Sequence, residues 1–194
     1  MNQQAFDLES AATAMEGVIA GITDTQLDDP TPCADTSVRD LLLHVIGLTE
    51  AFRSAATKEM VGRSQPPGTF TPEFGDWRNR IPAQLKSLVE AWRAPDAWTG
   101  DTEAGGVLLP APEMATVALN ELVVHAWDLA RATSQPYLPD SDDLAILLEM
   151  LRGTPVEGTP GLFGPVVPVP DNAPTLDKVL GLTGRDPAWS ANHV

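Results

Sequence analysis

Apolar residues along this chain recur at steps of three and four rather than two, which predicts α-helices and not strands. The first such stretch runs from about Leu8 to Thr23, where Leu8, Ala11, Ala12, Met15, Val18, Ile19 and Ile22 share one face. A second begins at Ser37, because Ser37 followed three residues later by Asp40 resembles a capping box with Asp in place of the usual Glu. It continues to about Met60. A third is expected from about Glu73 to Trp92, with Trp77, Ile81, Leu85, Leu88 and Trp92 on one face and Pro82 kinking it or marking its true start. The fourth runs from about Glu113 to Thr133 and stops where Ser134, Gln135 and Pro136 oppose continuation.

Between these stretches Gly and Pro cluster at Gly62–Gly75, Pro95–Pro112 and Gly153–Pro174, which are read as connectors. Four long helices joined by loops predict an all-α protein built on a four-helix bundle at residues 1–139. Helices at about Ser141–Leu151 and Thr175–Leu182 make a C-terminal annex, residues 140–194, packed on that bundle. A length of 194 residues fits this single-domain organisation.

Charge narrows the possible partners. With 12 Lys+Arg against 27 Asp+Glu the net charge is −15, which repels nucleic-acid phosphates and anionic lipid surfaces alike. The longest nearly apolar run, Leu41–Leu48, is interrupted by His44 and far shorter than the roughly 20 residues of a spanning helix. The opening residues MNQQAFDLES hold no Lys, no Arg and no apolar core, so no secretory signal is expected and the location is expected to be cytoplasmic. Residues 51–100 nevertheless hold seven bases against five acids. Either these are complementary solvated helix faces or they form a cationic wall for an anionic substrate. The one cysteine, Cys33, excludes an internal disulfide and a thiolate-rich zinc site.

Two of the three histidines fall inside apolar helices: His44 in LLLHVIGL and His125 in NELVVHAWDLA. A histidine on an apolar face is more often a core residue bonded to a carbonyl than a ligand, and for His44 alone that reading stands. Glu121 changes the picture. Residues i and i+4 share one helix face about 6 Å apart along the axis, so Glu121 and His125 reach one point between helices. An ionised carboxylate on a buried stripe is costly unless a cation or strong hydrogen bonds compensate it. A divalent cation held by His44, Glu121 and His125 supplies that compensation and leaves a coordination position open for water or a substrate thiolate. Zinc is the first expectation; nickel, iron, cobalt and manganese also suit imidazole and carboxylate.

Asp128, three residues after His125, is the candidate catalytic residue, expected to orient an imidazole or assist proton transfer; the alternative is a solvated surface carboxylate. Counting helix rise from Ser37 to His44 puts Cys33 roughly 10 Å or more from the metal, so it reads as a structural thiol rather than a nucleophile. His193 sits beside the terminus and carries no assignment. The tryptophans at 77, 92, 98, 127 and 189 read as core and interface filler.

Three runs, TPCADTSVRDLLLHVIG at Thr31–Gly47, ELVVHAWDLARAT at Glu121–Thr133 and FGPVVPVPDNAPTLDKVLGLTGRDPAW at Phe163–Trp189, resemble an actinobacterial family of short metal-binding proteins. That family belongs to the DinB-like superfamily and is related to the metal-binding N-terminal domain of mycothiol-dependent maleylpyruvate isomerase. The resemblance implies a DinB-like four-helix bundle, a divalent ion on His44, Glu121 and His125, and pairing into a homodimer through bundle helices. It also implies a low-molecular-weight thiol, mycothiol or one like it, that is bound as thiolate and adds to a small-molecule electrophile. The isomerase carries a second C-terminal domain where this chain has only the annex, and the family often has Trp where Thr36 stands here. Arg185 in GRDPAW either folds back toward the metal as an anion clamp or makes a structural salt bridge.

These readings point first to a metal-dependent, thiol-using transferase or isomerase acting on a small electrophile. A hydrolase using metal-bound hydroxide and a metal-binding module without turnover are the alternatives.

Overall fold

In the computed structural model, residues 6–59, 61–66, 73–159 and 163–191 are described. Six helices follow in order: α1 (Glu9–Ala20), α2 (Val38–Thr57), α3 (Trp77–Trp92), α4 (Ala111–Ala132), α5 (Ser141–Met150) and α6 (Thr175–Leu182).

Local chemistry sets where several of them start. At α2 the Ser37 hydroxyl accepts from the Asp40 amide at 3.1 Å, and the Asp40 carboxylate accepts in return from the Ser37 amide at 3.4 Å, so the capping box read from the sequence is present. At α5 the Asp140 carboxylate accepts from the Asp142 amide at 2.8 Å. Helix α4 starts at Ala111, earlier than Glu113, because Pro112 falls in the first turn, where a missing N–H costs nothing. Helix α3 starts at Trp77 rather than Glu73 and runs through Pro82. Helix α2 stops at Thr57, short of the expected Met60, because Lys58 takes the left-handed conformation with φ 60° and its ammonium donates to the Asp96 carbonyl at 2.8 Å. Met60 lies outside the described residues.

The four long helices pack as a closed ring in which α1 touches α3 and α4, and α2 touches the same two. This is the four-helix bundle expected from the helical periodicity. Met15, Leu42, Leu88 and Leu119, one from each helix, are completely buried at its centre. Burial of a side chain of this size stabilises the fold by about 1.5–3 kcal/mol. The tryptophans at 77, 92, 98 and 127 are all buried, and the Trp92 indole donates to the Phe52 carbonyl at 3.1 Å, tying α3 to α2. Leu144, Leu147 and Leu151 of the α5 region and Val179 of α6 belong to the same core, so the annex seals the bundle rather than standing apart.

The connector at Pro95–Pro112 contains an element that helical periodicity does not signal. Strands β1 (Asp101–Ala104) and β2 (Val107–Pro110) pair antiparallel, with Ala104 opposite Val107. The two residues between them, Gly105 and Gly106, have φ of 59° and 79°, the left-handed pair that a tight hairpin turn requires. Thr102 is completely buried and its hydroxyl donates to the Ala55 carbonyl, while the Glu103 carboxylate accepts from Ser64 at 2.6 Å. The hairpin therefore clamps the end of α2. No helix among the described residues is long and apolar enough to cross a membrane.

After α6 the chain reverses at Gly184, whose φ is 80°, and the Arg185 amide closes the turn on the Leu180 carbonyl at 2.9 Å. A Cβ at Gly184 would meet the Gly164 backbone at 3.0 Å. Gly184→Ala combines that contact with left-handed strain and is expected to cost about 1–3 kcal/mol, read as a lower urea midpoint with an unchanged m-value.

Candidate metal centre

His44 on α2 and the pair Glu121 and His125 on α4 face one another where these helices pack. Both imidazoles address a single carboxylate oxygen. Glu121 Oε2 lies 3.3 Å from His44 Nε2 and 3.0 Å from His125 Nε2. The rings stand edge to face, with centroids 4.9 Å apart at 85°. One ligand atom from each of the three residues lies within 4.8 Å of the others. Tetrahedral ligands at about 2.1 Å from a zinc ion stand about 3.4 Å from each other. Donor types and spacing thus suit a divalent cation.

The cluster sits at the edge of the bundle, not on the fully buried stripe expected from the sequence. The His125 side chain is 8% exposed, Glu121 20% and His44 42%. The inward positions of α2 are taken by Leu41, Leu42, Val45 and Ile46, leaving His44 at the flank with its ring reachable from outside. His193 lies outside the described residues.

The other imidazole nitrogen of His125 is also committed. Nδ1 stands 3.0 Å from Asp128 Oδ2, and Arg185 Nη2 donates to that same oxygen at 3.2 Å. Asp128 has no exposed surface. Enclosed in this way, Asp128 meets a bound molecule only through His125, whose ring it is placed to orient. Of the two readings of Arg185, the structure has the salt bridge: Nη2 pairs with Asp128 and Nη1 donates to the Thr183 carbonyl at 2.8 Å.

The position of Cys33 overturns its expected remoteness. Its sulfur, Asp128 and His125 offer ligand atoms within 4.8 Å of one another, and Arg185 Nη2 lies 3.8 Å from Cys33 Sγ. The rise along α2 measured distance from His44 only. Before α2 the chain doubles back, with Pro30 bridged to Ser37 and Asp35 at φ 56°, and this turn lays Cys33 against α4 one helical turn beyond His125. A fixed guanidinium already holds this second cluster, which disfavours a cation there.

Electrostatics ties the first cluster together. Burial pushes the Glu121 carboxyl upward, but His125 and His44 outweigh it and hold its pKa well below the usual carboxylate range. Burial pulls His125 down, but Glu121 and Asp128 outweigh it and raise its pKa to about 10. Without metal, therefore, an imidazolium lies between two carboxylates. The raised value means that its stabilisation is fully present below the unfolded pKa of about 6.5 and is lost as pH climbs toward 10. Metal-free protein is expected to lose stability across that window in urea melts. Glu121→Gln should flatten the loss and shift the His125 ring titration, followed by NMR, toward neutral pH.

Similarity to known proteins agrees with this architecture. Two uncharacterised proteins from two strains of Mycobacterium tuberculosis are each 24% identical over 180 residues, covering 91% of this chain and 94% of theirs. Crystal structures of mycothiol-dependent maleylpyruvate isomerase and of a mutant of it superpose with TM-scores of 0.57 at 16% and 17% identity. That match covers 74% of this chain and 64% of the isomerase chain, so it carries the fold and not the whole isomerase. The model of the mycothiol maleylpyruvate isomerase N-terminal domain matches residues 8–130, well over half of the chain, which therefore belongs to that family.

Proposed function

We propose that this chain is a metal-dependent, thiol-using transferase or isomerase, with His44, Glu121 and His125 as metal ligands and a low-molecular-weight thiol, mycothiol or a close analogue, as cosubstrate. The observation that carries the reading is the convergence of two imidazole Nε2 atoms on Glu121 Oε2 within this family. Two neutral imidazoles and one carboxylate would leave a divalent ion one net positive charge, which keeps a bound thiol deprotonated. Zinc is the ion we favour, and pairing into a homodimer belongs to the same proposal.

The chain's own residues divide the work. Glu121 supplies the anionic ligand. Asp128, held by Arg185, fixes the His125 ring so that Nε2 points at the centre. The partly exposed flank at His44 leaves one side of the centre accessible to small molecules. With an unsaturated carbonyl as electrophile, sulfur forms a bond to the β-carbon, the π pair moves to the α-carbon, and the proton lost by the thiol ends there. Isomerisation follows when the single bond so created rotates, the α-carbon gives up a proton, that electron pair re-forms the double bond, and the C–S bond breaks to release the thiolate, which takes the proton back.

Cobalt-substituted protein is expected to gain a sulfur-to-metal charge-transfer band on addition of N-acetylcysteine, the thiol-bearing fragment of mycothiol. A spectrum indifferent to thiols, together with cleavage of ester probes, favours the hydrolase reading instead. Zinc uptake at pH 7 should release about one proton, that of His125, readable in weakly buffered solution. Asp128→Asn should weaken zinc binding about 10–100-fold in chelator competition while the fold persists by circular dichroism.

A further inference from the structure

The bases of residues 51–100 do not form a wall for an anionic substrate. Arg53 is paired with Glu50 at 2.7 Å, Arg78 with Asp24 at 2.8 Å and Arg93 with Asp7 at 2.8 Å. Lys58 and Arg80 donate to backbone carbonyls. None of the seven lines the cavity that reaches Glu121.

That cavity has a volume of about 280 Å³. Its apolar walls are Val117, one turn before Glu121 on α4, Met150 and Leu151 at the end of α5, and Phe163 from the following connector. Threonine and glycine complete the lining, with Glu121 at one end and Arg152 as its one cation among the described residues. Arg152 is paired with Glu149 at 2.6 Å and is 77% exposed, so it belongs to the rim and its charge is already met. Glu121 has its charge met by His44 and His125, or by an ion and its bound thiolate, so a dianion entering here would find no free cation to replace its hydration, at a cost the apolar walls cannot offset. The volume falls just below the roughly 300–1,000 Å³ of ordinary ligand pockets, so the occupant is small.

We infer that this cavity, walled largely by the annex, is the second-substrate subsite and accepts a small, uncharged, mainly apolar molecule in preference to a dicarboxylate. The occupant's role as electrophile rests on the proposed thiol chemistry; its size and charge rest on the cavity alone. An aryl or alkyl enone fits both requirements. Maleylpyruvate, which carries two carboxylates, does not.

The test compares benzalacetone, a neutral aryl enone, with the dianion maleate by saturation-transfer NMR on the full chain, with and without zinc. Benzalacetone is expected to bind in both conditions and maleate at least tenfold more weakly. Val117→Trp, which fills the cavity, should reduce benzalacetone affinity at least tenfold without changing zinc uptake; Met150→Trp, outside the bundle, asks the same question if V117W does not fold. Maleate binding as well as benzalacetone overturns the assignment, as does unchanged benzalacetone affinity in the folded tryptophan variants. Zinc uptake with no benzalacetone signal removes the subsite and leaves the metal centre standing. Benzalacetone binding that is lost in V117W, in a chain that takes up no zinc, upholds the subsite and removes the metal reading.

Discussion

A carboxylate drawn out of water must be met by positive charge or by donors, and α4 places two such groups, Glu121 and Asp128, on either side of one imidazole. Much of the molecule's order follows from meeting that demand. His44 arrives from α2, His125 lies between the acids, and Arg185 returns from beyond α6 to close the row. Each member is the reason its neighbour can be buried. Elements far apart in the chain are thereby held in one register by charge, while apolar packing supplies the bulk of the stability.

This arrangement explains why the tail matters to the centre. Asp128 with no exposed surface is tolerable because a guanidinium reaches it, and the guanidinium reaches it because Gly184 lets the chain reverse. Removing either would leave the buried Asp128 with His125 but without its guanidinium, and breaking a buried pair is costly. The row also orients His125 through both ring nitrogens, so a change at the tail is felt at the nitrogen that faces Glu121.

The helices were legible because their apolar residues repeat with the helical period and because caps such as Ser37 with Asp40 are local. The juxtaposition of Glu121 and His125 was legible for the same reason, being one helical turn apart. What escaped depended on contacts between distant segments. The exposure of His44 follows from which α2 residues win the inward positions, and the nearness of Cys33 to Asp128 follows from a reversal before the helix. The hairpin left one readable trace, the Gly105–Gly106 pair between short strand-forming residues, masked by a Pro-rich connector. The surplus of bases in residues 51–100 marked complementary helix faces, as their partners Glu50, Asp24 and Asp7 demonstrate. The cavity beside Glu121 had no sequence signal, since its walls come from α4, α5 and the connector after it.

The ring of contacts sets α1 and α2 on opposite corners, and none of the candidate residues lies on α1 or α3. Half of the scaffold thus stands clear of the candidate metal centre. It is the natural place to attach a dye, a surface tether or a fused partner, and the side on which random substitutions should be tolerated according to packing alone.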